Sequence, residues 1–128
     1  MPPKNTSGTP AGIRESLKKA TTEMLVLFLL RQKPMYTYEM MATVEKLSDG
    51  KITFNTLYQA IYRLQDFKYI EESNKVLSDA NRVRIYFSIT ESGQKYLNDL
   101  IYEYTATTDI IDHVLSLDGK IAEEASDE

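Results

Sequence analysis

Between residues 82 and 89 apolar side chains take every second position: Val83, Ile85, Phe87 and Ile89, with Arg82, Arg84, Tyr86 and Ser88 between them. A period of two marks a strand with one buried face. It interrupts a chain whose other apolar residues recur at helical spacing. Residues 70–77 make a partner strand of similar length, and Ser78-Asp79-Ala80-Asn81 supplies the turn chemistry between them. A β-hairpin with one buried face and a basic loop end is therefore expected inside an otherwise helical chain.

Three helical patterns precede the hairpin. Over residues 14–32, Leu17, Ala20, Met24, Leu27 and Phe28 share one face, and Leu25, Leu29 and Leu30 fill a second. A helix apolar on nearly all sides must be covered on nearly all sides, and Pro34 stops it. Thr37 is a plausible N-cap for a second helix with Met40, Met41, Val44 and Leu47 as its buried stripe, leaving through Ser48-Asp49-Gly50. The third pattern runs from about residue 53 to 67. Phe54, Leu57, Ile61 and Leu64 lie on one side, with Asn55, Thr56, Gln59, Tyr62, Arg63 and Asp66 opposite.

After the hairpin, Thr90 caps a last helix with Glu91 in its first turn. Leu97, Ile101, Tyr104, Thr108, Ile111 and Leu115 then alternate steps of four and three, an a/d seam that Leu100, Ile110 and Val114 widen. The fold class that follows is mainly α with a small β-hairpin: a winged helix-turn-helix plus a long C-terminal dimerisation helix. The two outer helices lack a partner inside so small a domain, so a closed two-fold homodimer is the expected solution, built on Met24, Leu27, Phe28, Leu97, Ile101, Tyr104, Thr108, Ile111 and Leu115. The domain expectation is a flexible arm at 1–12 and a DNA-binding domain at 13–90. A dimerisation helix at 91–118 and an acidic tail at 119–128, frayed from residue 123, complete it.

Net charge is −4, which argues weakly against a nucleic-acid partner, but its distribution is uneven. Residues 1–20 carry +3, 21–50 carry −1, 51–89 carry +2 and 90–128 carry −8. Local charge is what meets a phosphate backbone. Without Cys, disulfides, thiolate metal sites and thiol nucleophiles are excluded. The sole histidine, His113, lies beside Asp109 and Asp112 on the acidic last helix, and a solvated face explains it better than a metal site. Nothing places a nucleophile beside a base, and there is no glycine-rich phosphate loop. No catalytic residue, metal or cofactor is expected. Neither a signal-peptide core nor a membrane-length apolar run is visible, so a cytoplasmic location with no membrane partner is the expectation.

Asn55, Thr56, Gln59 and Arg63 are short or planar hydrogen-bonding groups suited to base edges and phosphates. A merely solvated helix carries Lys and Glu pairs more often. Tyr58 flanks the core stripe with its hydroxyl free to reach outward. Lys75, Arg82 and Arg84 near the hairpin tip either guard an exposed edge against aggregation or contact phosphates. Lys4, Arg14, Lys18 and Lys19 either track a backbone or belong to a disordered end. Tyr96, Tyr102 and Tyr104 are either dimer core or the lining of an inter-subunit pocket for a flat aromatic effector.

The run Thr53-Phe54-Asn55-Thr56-Leu57-Tyr58-Gln59-Ala60-Ile61-Tyr62-Arg63-Leu64 resembles the recognition helix of PadR-like regulators. Tyr86-Phe87-Ser88-Ile89-Thr90-Glu91-Ser92-Gly93 is similar to that family's wing exit, and Tyr38-Glu39-Met40 to the start of its second helix. The resemblance spans roughly residues 17–104. It implies a winged-helix dimer that binds double-stranded operator DNA, usually as a repressor, and is often released by a small hydrophobic or aromatic effector. On that resemblance Tyr38, Thr53, Asn55, Thr56 and Tyr58 sit at the DNA with Arg82 and Arg84 on the wing. Two departures stand out: Thr37 and Lys68 occupy positions where the family commonly has Gly. The alternative is a winged-helix dimer that serves as a protein-interaction module without DNA binding.

Overall fold

The computed structural model describes residues 6–122. Lys4 and the tail from residue 123 therefore lie outside the described residues. The elements are α1 (Pro10–Gln32), α2 (Thr37–Leu47), α3 (Leu57–Asp66), β1 (Ile70–Leu77), β2 (Val83–Ile89) and α4 (Glu91–Leu115). This is the helix, helix, helix, hairpin, helix order that the periodicities predict.

Two helix starts differ from expectation. The first, α1, begins at Pro10, before residue 14 and inside the stretch read as an arm. Pro fits the first helical turn, where its missing N–H costs nothing and its φ is already helical. Extended Thr9 precedes it and donates its hydroxyl to the Thr6 carbonyl at 2.6 Å. In α2 the cap position is Tyr36, and Thr37 is the first helical residue. The exit of α2 is as read: Asp49 and Gly50 both take positive φ, and the Gly50 N–H donates to the Glu45 carbonyl at 2.7 Å.

The core gathers around the second half of α1, which packs on both α3 and β2. Val26, Leu27, Leu29 and Leu30 are buried there with Leu57, Ala60, Ile61 and Leu64 of α3, Met40 and Val44 of α2, and Ile70, Phe87 and Leu97. Thr22, the one buried polar side chain among the described residues, is satisfied by donating to the Lys18 carbonyl at 2.7 Å. The chain itself thus covers most of the apolar surface of the second half of α1, while Ile13, Leu17 and Phe28 stay exposed. Two residues assigned above to dimerisation are corrected accordingly. Leu27 and Leu97 are wholly buried (0% exposed) inside the chain, so they are core and have no surface left for a partner. Met24 is half-buried and Phe28 remains exposed.

The hairpin is antiparallel, Ile70 opposite Ile89, and gains a short third member that the sequence did not signal. Met35, in the link between α1 and α2, bridges Phe87 through two backbone hydrogen bonds of 2.9 and 3.2 Å. Only the base of the hairpin is buried. Phe87 is covered, whereas Val83, near the tip, is exposed.

The passage from α3 into β1 settles the Lys68 departure. Lys68 adopts φ 62°, the left-handed conformation that glycine favours. The Lys68 N–H donates to Gln65 and the Tyr69 N–H to Leu64, both at 2.9 Å, which closes α3 in a Schellman turn. The start of α4 docks on this same corner. Thr90 donates its hydroxyl to the Lys68 carbonyl at 2.7 Å and accepts the Gly93 N–H at 3.1 Å, so it caps α4 as expected. Gly93 lies so close to the Tyr69 carbonyl that a Cβ there would run into it. The chain divides into two compact units after Leu97, because the first turns of α4 belong with the winged-helix core.

Replacing Lys68 with Gly should remove the left-handed penalty and raise stability by about 0.5–1 kcal/mol after the entropy that glycine loses on folding. Thermal unfolding checks this; an unchanged or lower Tm would contradict the turn described here.

Candidate nucleic-acid interface

The helix α3 buries Leu57, Ala60, Ile61 and Leu64 at spacings of three and four, so its remaining face must point outward. That face carries Tyr58 and Tyr62, 53% and 61% exposed, together with exposed Gln59. The apolar spacing predicts Thr53, Asn55 and Thr56 inside the helix, and the structure corrects this. They form the segment leading into it, with Thr56 at the cap position (φ −123°, ψ 34°) and making no side-chain cap bond. Thr, branched at Cβ, and Asn are both poorer helix formers than Leu, and the helix begins where Leu57 opens the buried stripe. The result sets Asn55 and Thr56 at the mouth of α3, beside the unpaired N–H groups of its first turn.

Arg63 is exposed as well, but its side chain is paired with α1. Its guanidinium Nε donates to Glu23 Oε1 of α1 at 2.7 Å, which ties α3 to α1. Glu23 also neighbours Tyr96 at the start of α4: burial, and then the charge of Glu23, hold that phenol above its ordinary pKa. Tyr96 in turn stacks on Tyr69 with ring centroids 4.3 Å apart. Of the three tyrosines on α4, Tyr96 is therefore half-buried against Tyr69, while Tyr102 and Tyr104 are exposed.

The wing residues divide as the strand register dictates. At the base, Ile70 pairs with Ile89 and Glu72 with Phe87, but Asn74 pairs with Tyr86, because a bulge at Ser73 adds one residue to β1. A straight register would set Lys75 opposite Arg84. The bulge sets Lys75 opposite Ile85 and Val76 opposite Arg84. Directly paired residues share a face, so Lys75 lies on the Phe87 side and Arg84 on the other. Two like charges are thereby kept from facing each other. The single basic tip read from the sequence is corrected to two faces.

Arg84 is further committed. Its guanidinium lies 4.7 Å from the centre of the Tyr36 ring, and Tyr36 meets Tyr86 edge to face at 5.3 Å. This cation–π contact braces the wing against the start of α2. Between wing and α3 runs a cleft of about 290 Å³ lined by Tyr36, Tyr58, Tyr62, Gln65 and Arg84 among others. The sequence places Tyr62 on the polar side of the third helix and gives no sign of Tyr36. Nothing in one sequence brings residue 36 to residue 84. Lys75 and Arg82 are exposed, as is Tyr38 on the first turn of α2.

Among the described residues no group of three His, Cys, Asp or Glu side chains is placed to hold a metal ion. No described helix is long and apolar enough to cross a membrane.

A helix-turn-helix whose second helix turns Gln and Tyr side chains outward, with Asn55 exposed just before it and a braced two-stranded wing beside it, defines a winged-helix DNA-binding protein. The family model described as the transcriptional regulator PadR-like family matches residues 26–99, the whole of this arrangement, and the chain belongs to that family. It is a DNA-binding transcriptional regulator and not an enzyme. A transcriptional regulator from Clostridium thermocellum is similar in structure, with a TM-score of 0.68 and 25% identity over 77% of this chain and 96% of that one. A PadR-like regulator from Bacillus cereus shares the fold at a TM-score of 0.65 and 22% identity, covering 78% and 96%. An uncharacterised protein of Lysinibacillus sphaericus is 28% identical over 102 residues, 78% of this chain and 93% of the relative.

Replacing Arg63 with Gln should cost at most about 1 kcal/mol of stability, since the pair is partly exposed. The salt dependence of DNA binding should stay unchanged. A fall of about 1 in the slope of log K against log salt would instead make Arg63 a phosphate contact.

Proposed function

We propose that the chain binds operator DNA as a homodimer and represses transcription by occupying that site. Asn55 and Gln59 read base edges in the major groove from the mouth and first turns of α3. Thr53, Thr56, Tyr38 and Tyr58 hold the flanking backbone, with Lys75 and Arg82 reaching it from the wing. Arg84 acts at one remove, by holding the wing through Tyr36. The observation that carries the reading is the outward face of α3: planar amides and phenols at the head of a helix whose other side is fully buried.

The dimer rests on the second compact unit. Within residues 98–115, Tyr104, Ile110, Ile111, Val114 and Leu115 are exposed, and Ile101 and Thr108 are half-buried. An apolar seam of that length left open to water is what two copies of one helix cover for each other. With Leu27 and Leu97 in the core, the seam starts at Ile101. Release by a small aromatic or hydrophobic effector remains part of the proposal, with Tyr102 and Tyr104 as the aromatic side chains a seam pocket would offer.

Binding is tested with duplex DNA from upstream of the chain's own gene and with random duplex, each at two salt concentrations. Asn55→Ala with Gln59→Ala should lower affinity for the specific duplex by about 1–3 kcal/mol per lost base contact and leave random DNA unaffected. Equal losses on both duplexes would contradict base reading, and no binding at low salt would end the proposal. Ile111→Asp should give a monomer in sedimentation; an undisturbed dimer would show that the seam is not the interface.

A further inference from the structure

The start of α1 and the segment leading into α3 form the two walls of a groove of about 760 Å³. One wall carries Arg14, Lys18 and Lys19, the other Thr53, Asn55 and Thr56. Arg14 and Lys18 are one helical turn apart and Lys19 follows, so three like charges share a short stretch of helix where they repel one another. Glu15 is the one carboxylate in the lining, and it reaches Lys18 at 3.5 Å and Arg14 at 3.9 Å. These contacts are long and partly exposed, which makes them weak. A locally positive groove in a chain of net charge −4 calls for an anionic occupant.

The far wall says which occupant. Thr53, Asn55 and Thr56 stand at the mouth of α3. A helix that enters the major groove, about 12 Å wide, brings its immediate flanks against the phosphate strands that border that groove. We infer that this groove seats one strand of the DNA backbone, with Arg14, Lys18 and Lys19 neutralising phosphates beside the site that α3 enters. The inference rests on the reading of α3 given above and adds a third contact surface to α3 and the wing. The contact is independent of base sequence. It supplies affinity and salt dependence and no discrimination.

The test compares wild type, Arg14→Ala with Lys19→Ala, and Glu15→Gln on two fluorescein-labelled probes, the duplex from upstream of the gene and a random duplex of equal length. Lys18 is kept because its stem is largely buried, with a side chain 15% exposed. The double variant should lower the slope of log K against log salt by about 2 per protomer, about 1 for each cation removed. It should weaken both probes by the same factor, about tenfold or more at low salt, with Tm unchanged. Glu15→Gln should tighten binding to both probes, a gain that misfolding does not produce. A wild-type slope in the double variant overturns the inference. If the wild type binds neither probe, the reading of α3 falls and takes the groove with it. If the wild type binds, and Asn55→Ala with Gln59→Ala abolishes its preference while the double variant changes nothing, the groove alone is wrong.

Discussion

The structure depends on the burial of one stripe of α3 against the second half of α1. Leu57, Ala60, Ile61 and Leu64 meet a core that includes Val26, Leu27 and Leu30, and all seven are almost completely buried. Ala60 matters here because it is small, and a larger side chain would push the two helices apart. A helix held this firmly on one side has no freedom to rotate, so the same burial fixes where Tyr58, Gln59 and Tyr62 point. Stability and the recognition face are set by one contact.

A second joint connects α3 to everything that follows it. The left-handed turn at Lys68 delivers Tyr69 to the spot where Thr90 and Gly93 begin α4. Glu23 reaches Arg63 on α3 and lies beside Tyr96 on α4, and Tyr96 stacks on Tyr69. The start of α4 and the recognition helix are therefore braced by the same few groups.

Much of the architecture was legible because it is written in periodicity. The hairpin announced itself by alternation, the helices by their stripes, and the caps at Thr90 and Gly50 by residue type. What was not legible depended on contacts between distant segments. Nothing local says that Arg63 will meet Glu23 forty positions earlier, or that Leu97 continues the core before the heptad seam begins. Lys75 is the clearest case. Its side of the hairpin is decided by a bulge at Ser73, and one extra residue flips every side chain beyond it. Thr53, Asn55 and Thr56 were placed inside a helix because the apolar spacing of Phe54 and Leu57 extends one turn too far. The competing backbone preference of Thr and Asn won.

In the proposed complex, DNA meets the head of α3. Hydrogen–deuterium exchange of the protein with and without the duplex from upstream of its gene tests this most directly. Protection should appear at residues 53–62, at the wing between 75 and 84, and at the start of α1, with residues 98–115 unchanged. Protection confined to residues 98–115, with the head of α3 exchanging as in the free protein, would contradict it.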